Sequence, residues 1–137
     1  MGKITEGGPL VIAAFALQAQ QARMRIIAEN VANAQTTAAT PGGEPYRRQA
    51  PVFEPLVLGD GAKSVRMVRA EADPKPFKSE YRPGHPAANA AGYIQLPNVD
   101  SLVESLDFKA AQRAYEANLN VIDAAHAMEQ SALDMLK

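Results

Sequence analysis

Of the ten prolines, nine lie between Pro41 and Pro97, and the tenth, Pro9, stands where a helix can begin. A proline inside a helix costs about 3 kcal/mol, because it lacks an amide donor and its ring strikes the preceding turn. Residues 10–40 and 98–137 hold none, so both flanks are free to form long helices and the middle is not. The 137 residues therefore divide into an N-terminal helical segment (1–40), a Pro/Gly-punctuated, β-rich segment (41–97) and a C-terminal helical segment (98–137). The expected fold class is mainly α with a small β-rich insert.

In the first flank Leu10, Leu17, Met24 and Val31 recur every seven residues, with Ala14, Gln21 and Ala28 in the intervening place. This is a heptad-like seam for an alanine-lined partner, interrupted once by the polar Gln21. Pro9 suits a first helical turn, and the pattern dissolves at Gln35-Thr36-Thr37, which predicts a helix over 9–34. In the last flank Asn98 or Asp100 can cap, and Glu104 favours the positive end of a helix. Val103, Leu106, Ala110, Ala114, Ala117, Val121, Ala124, Met128, Ala132 and Met135 step by three or four. Tyr115, Leu119, Ile122, Leu133 and Leu136 form a second stripe, so this helix needs contacts on more than one side. The segment carries a net charge of −4, either as a solvated face or as a complement to a basic neighbour.

The middle reads as short strands at 46–50, 52–58, 64–70, 77–81 and 93–96, with Gly59-Asp60-Gly61 as a hairpin signal. Asp73-Pro74, Pro83-Gly84 and His85-Pro86 are turn chemistry. So small a β unit cannot cover two long helices. Of about 64 apolar residues 26 are alanine, which buries little area, and the chain has no Trp. The helical stripes must find burial on each other, on other copies or on other proteins. That is the signature of an assembly component.

Chemistry finds little footing. The chain has no cysteine, which removes disulfides and thiolate ligands, and its two histidines, His85 and His126, have no ligand-spaced partners. His85 reads as a turn residue and His126 as a packing or interface residue. Gly42-Gly43 lacks the Gly-Lys-Ser/Thr ending of a phosphate loop, and no Gly-x-Ser-x-Gly elbow occurs. A net charge of −1 argues against nucleic-acid binding. Arg47-Arg48 reads as an interface or a solvated pair. No catalytic, cofactor or metal site is expected, and no small-molecule substrate.

The apolar run from Pro9 to Leu17 is too short to span a membrane, which takes about 20 residues, so no membrane insertion is expected. It imitates a signal-peptide core, but the helical register continues past any cut after Ala16, which favours an uncleaved segment. Asn30, Asn33 and Asn118 sit in or at the end of helical stretches, although Asn is a poor helix former. They either fray a helix end and face water, or fix register between packed helices through buried amides.

At these residues the chain resembles the rod protein C family of the flagellar rod and hook axial proteins. The N-terminal likeness runs from Ala16-Leu17-Gln18-Ala19-Gln20 through Ile27-Ala28-Glu29-Asn30-Val31-Ala32-Asn33 to Thr36-Thr37. More specific are Thr40-Pro41-Gly42-Gly43-Glu44-Pro45-Tyr46-Arg47-Arg48, Tyr81-Arg82-Pro83-Gly84-His85-Pro86, Gly92-Tyr93 and Pro97-Asn98-Val99. Ala114-Tyr115-Glu116-Ala117-Asn118 carries the likeness into the last helix. The resemblance implies terminal helices packed as a coiled coil in a tubular assembly, with a β domain outside. It implies export by the flagellar type III apparatus without a cleaved signal peptide. It also implies polymerisation in the periplasm, with other copies and other rod proteins, into the drive shaft of the basal body.

The expected function is a structural, torque-transmitting rod subunit that also walls the export channel; the alternative is a self-contained helical-hairpin adaptor for partner helices. Expected subunit-interface residues are Leu10, Leu17, Met24, Ile27 and Val31 on the first helix, and Ala114, Tyr115, Ala117, Val121, Ile122 and Met128 on the last. Asn30, Asn33 and Asn118 are the expected register-setting amides, and Arg47 and Arg48 are placed on β-side contacts.

Overall fold

The computed structural model describes residues 8–137. The order of elements is α1 (Pro9–Ala32), β1 (Gln49–Val57), β2 (Lys63–Ala72), β3 (Lys78–Tyr81), β4 (Tyr93–Leu96) and α2 (Ser101–Met135). At 1.5 Å per residue, α1 is about 36 Å long and α2 about 52 Å. Neither is long and apolar enough to cross a membrane. The strands form two separate two-stranded sheets, β1–β2 and β3–β4. This is the expected mainly α fold with a small β insert.

Helix ends follow local chemistry. Asp100 is the cap of α2: its Oδ1 accepts the Leu102 and Val103 amides at 3.0 and 3.3 Å. α1 stops two residues short of the expected 34, where Ala34 and Thr36 donate three residues back, to Val31 and Asn33.

The strands expected at 46–50 and 52–58 are instead the single strand β1, which runs through Pro51 and Pro55. The reason is the free edge. Leu58 donates to Ala62 and Arg48 accepts from Asp73, so alternation turns positions 51 and 55 away from β2, where no ladder bond is lost. The turn closes as expected: Gly61 donates to Leu58 at 2.9 Å, and Asp60 Oδ1 accepts from Ala62.

The chain forms two compact units. The first comprises Met1–Met24, Val52–Arg69 and Lys109–Lys137, and the second Arg25–Pro51 and Ala70–Phe108. In the first, α1 and α2 lie antiparallel: Pro9, Ile12 and Ala13 stand beside Asn118 and Val121, while Gln21 Nε2 donates to the Tyr115 hydroxyl at 3.5 Å. Ser64 Oγ donates to the Ile12 carbonyl, tying β2 to α1. Its fully buried apolar residues are alanines, Ala13, Ala19 and Ala111. The second unit holds the buried larger side chains: Ile26, Ile27, Ile94, Val99, Asn30, Asp73 and Glu104.

Burial therefore selects a different line from the stripes with the largest side chains. On α1 the buried Ala13, Ile27 and Asn30 fall one residue before positions of the expected seam, and Ala19 and Ile26 two before, leaving Ala14, Gln21, Ala28 and Val31 exposed. On α2 the inward line is Glu104, Asp107, Ala111, Tyr115, Asn118 and Ile122, while Val103, Leu106 and Met128 face outward and Val121 stands at the rim beside α1.

Gly61 has φ +85°, in the left-handed region, and open space where a Cβ would stand. Gly61→Ala should therefore cost about 1 kcal/mol, purely as conformational strain, measured by urea unfolding.

Candidate functional site

The second unit is organised around a carboxylate with no access to solvent. Glu104 has zero exposure, in the first turn of α2, and a charge in that position requires partners. It has two: the Arg48 Nε donates to Oε1, and the Asn30 Nδ2 donates to Oε2 at 3.3 Å. Arg48 also reaches Asp73 Oδ2 at 3.3 Å, and its other terminal nitrogen lies 4.0 Å from Asp107. One guanidinium thus answers three carboxylates from two segments of the chain.

Asn30, also with zero exposure, uses its whole amide. Its Oδ1 accepts from the Gln49 amide and the Tyr46 hydroxyl, each at 2.9 Å, and its Nδ2 donates to the Gln49 carbonyl at 2.8 Å as well as to Glu104. Toward Gln49 the side chain acts as a strand would, closing the first turn of the free edge of β1. Asn98 repeats the device. Its Oδ1 accepts the Arg48 amide at 2.8 Å, and its Nδ2 donates to the carbonyls of Asp73 and Lys75. Arg47 donates to the same two carbonyls and stacks on Phe77, with its guanidinium carbon 4.1 Å from the ring centroid.

The electrostatics follow from these contacts. Burial pulls the Arg48 guanidinium down, but the hydrogen bond and charge of Glu104, and then those of Asp73, more than reverse it and hold it above its ordinary value. The Lys75 amide hydrogen bond holds the Asp73 carboxyl below the usual value against the opposing effect of burial, helped by the charges of Lys75 and Arg48. Burial, then the charges of Glu29 and Glu104, push the Tyr46 phenol up, so it remains the donor Asn30 requires.

Chemically this arrangement is a clamp. Its carboxylates, amides and guanidinium are spent on each other, and the described residues include no group of His, Cys, Asp and Glu able to hold a metal. A cleft of about 420 Å³ opens beside it, lined by Arg48, Asp73, Lys75, Lys78, Asn98, Asp100, Val103 and Glu104. Its walls are largely self-paired: Lys78 Nζ donates to the Val99 carbonyl at 3.0 Å.

The expected residues are distributed as follows. Asn30 sits in the clamp, whereas Asn33 donates to Glu29 O and Asn118 to Ala114 O, four residues back, at 2.8 Å each. All three amides thus bond within the chain, and Asn30 has no donor or acceptor left for a neighbour. The Arg47-Arg48 pair is neither solvated nor free for a partner. Leu10, Leu17, Met24, Ala114, Tyr115 and Ile122 are half-buried, Ile27 is buried, and Val31, Ala117, Val121 and Met128 are exposed. His85 is a turn residue whose Nδ1 accepts the Ala87 amide at 3.0 Å, and His126 is exposed on α2. Glu104, Asp73 and Tyr46 were not foreseen as clamp residues. For Glu104 the available signal was its seven-residue spacing to Ala111 and Asn118 beside the apolar stripe; Asp73 and Tyr46 carried none.

Two outcomes are expected. Arg48→Met leaves Glu104 buried and unpaired, costing about 3–5 kcal/mol in urea unfolding, and Arg48→Met with Glu104→Leu recovers most of it. Because the folded-state pKa of Asp73 is depressed, its contribution is present above the unfolded value and lost as pH falls through the folded one. The stability difference between the wild type and Asp73→Asn should therefore be constant from pH 7 to 5 and shrink below the ordinary aspartate value of 3.8, measured by thermal unfolding.

Comparison with known proteins agrees with this architecture at both ends of the chain. Residues 10–40 match the family model described as flagella basal body rod protein, and residues 90–135 match the one for the C-terminal region of flagellar basal body rod FlgEFG proteins. Along the whole chain it is similar to the flagellar basal-body rod protein FlgC of Agrobacterium fabrum, with 41% identity over 92% of this chain and 91% of that protein. The FlgC proteins of Borreliella burgdorferi and Bacillus subtilis are 38% and 35% identical, over 92% and 93% of this chain and 94% and 96% of theirs. Matched at such identity along nearly their full length, the chain belongs to the family of flagellar basal-body rod protein FlgC, a structural component of the flagellar basal body.

Proposed function

We propose that the chain polymerises with other copies of itself and with other rod proteins into the periplasmic drive shaft of the flagellum, transmitting torque and walling part of the export channel. It reaches that place through the flagellar type III export apparatus, without a cleaved signal peptide. The reading is supported by family membership and by one structural observation: α2 carries Val103, Leu106, Met128 and Met135 outward, with Met128 71% and Met135 82% exposed. An apolar row on that scale is a contact surface waiting for a partner. Repeated head-to-tail contacts between such helices that do not close into a ring produce a helical filament. Alanine-lined faces let helices approach closely, so each unit of length gains many dispersion contacts and the shaft resists twist.

The interface residues in this reading are Leu10, Leu17, Met24 and Val31 on α1, and Ala117, Val121 and Met128 on α2. A second reading, a self-contained hairpin adaptor binding partner helices, draws on the antiparallel lie of α1 and α2 in the first unit. It requires the outward row of α2 to be dispensable for assembly.

Leu17→Asp and Val121→Asp decide between the two. Each variant should retain the wild-type helical circular dichroism and still be exported, yet abolish swimming and leave isolated basal bodies without a complete rod. Rods of normal length in either variant would overturn the proposal.

A further inference from the structure

Charge is sorted by sign within the first unit. Residues 63–69 of β2 hold Lys63, Arg66 and Arg69 and no acid. From Ala114 to Leu136, α2 holds Glu116, Asp123, Glu129 and Asp134 and neither lysine nor arginine. Lys63 and Arg66 are both exposed, with the half-buried Ser64 and Val65 between them, and all four acids are exposed. Among the described residues the side chains of Lys63, Arg66 and Asp123 make no hydrogen bond or ion pair. Glu116 meets only the neutral Gln112 amide, at 3.3 Å, while Asp134 is engaged by Lys137 at 3.6 Å.

The chain cannot bring the two blocks together itself. β2 is tied to α1, where Ser64 Oγ donates to the Ile12 carbonyl at 3.0 Å. The side of α2 turned toward α1 carries Ala111, Tyr115, Asn118 and Ile122. At about 100° per residue, Glu116 and Asp123 lie about 140° round the helix from Ala111 and Asn118, on the side away from α1. A basic strand and an acidic helix face are therefore left unmatched in one folded unit.

We propose that the basic segment of β2 docks on the acidic outer face of α2 in a second copy of the chain. The proposal rests on the rod reading and adds the pair of surfaces through which neighbouring copies meet. The occupant is a second copy because both halves of the contact belong to one chain, at matched spacing. Lys63 and Arg66 stand three residues apart on a strand, about 10 Å, and Glu116 and Asp123 seven apart on a helix, about 10.5 Å. Pairing of two β2 segments, or of two α2 outer faces, sets like charges together and is disfavoured. Only the unlike pairing remains. It is head-to-tail: each copy offers one strand and one helix face, so the contact repeats from copy to copy. Exposed ion pairs add little stability, so this contact selects orientation while the apolar row of α2 supplies the burial.

The test is charge reversal with reciprocal rescue, read as the fraction of isolated basal bodies carrying a complete rod. Arg66→Glu and Asp123→Arg, both at exposed positions, should each lower that fraction at least about tenfold, and the double variant should restore most of it. Because the chain has no cysteine, Arg66→Cys and Asp123→Cys can be placed together and treated with a short bismaleimide in assembled rods. Crosslinked peptides joining positions 66 and 123 of different copies are the expected product. Complete rods in both single reversals, a double variant no better than the singles, or rods in which position 66 or 123 crosslinks to another protein instead would overturn the proposal and leave the rod reading standing. Absence of the wild-type chain from isolated rods would overturn both.

Discussion

Everything in the second unit depends on keeping one buried charge satisfied. The Glu104 carboxylate has no water to solvate it, and a charge taken out of water costs several kcal/mol unless it is paired and hydrogen-bonded. Arg48 and Asn30 meet that demand only if the last turn of α1, the residues before β1 and the first turn of α2 converge. The same three segments hold Tyr46, Gln49 and Asn98 in place through Asn30 and Arg48. Attraction within such a cluster largely offsets its desolvation, so its net gain in stability is modest. Its larger effect is on alternatives: sliding α2 by one turn would strand a buried carboxylate, an amide and a guanidinium together. The clamp sets register more than it adds stability.

The first unit is built on the opposite principle. Its fully buried side chains are alanines, which offer close approach and little hydrophobic gain. Its larger apolar residues lie at half-buried or exposed positions on both helices. Exposed apolar surface of this kind is the feature on which the proposed rod assembly draws.

This division explains what was legible in the sequence. Proline placement revealed the two helices and the β insert, because the penalty for proline in a helix is local and acts regardless of context. The hairpin at Gly61 and the strand at 93–96 were legible for the same reason. β1 was divided too early because Pro51 and Pro55 break only a strand that needs their amides, and these two face a free edge. The clamp was hidden: Arg48 and Glu104 are 56 residues apart, and each alone reads as an ordinary surface charge. Periodicity identified which residues lie on one line of each helix, and the shortage of covering core marked those lines for contacts beyond the β insert. It did not show which line turns inward, because that is decided on α2 by Glu104, whose partners are distant in sequence.

The inverted pattern is itself informative about assembly. In a self-sufficient domain the apolar row Val103, Leu106 and Met128 would be inward, and the Glu104, Ala111 and Asn118 line would face water. Here that mixed line is inward, with Tyr115 and Ile122 beside it; Glu104 is tied by two partners and Asn118 bonds its own helix backbone. A helix oriented this way gives up hydrophobic stability in the isolated chain, because its inward line carries Glu104 in place of a larger apolar side chain. Within the second unit the clamp fixes the first turns of α2 through Glu104, so the outward setting of Val103 and Leu106 follows from the partners of one carboxylate. In the rod reading proposed above, that outward surface is what a neighbour would cover.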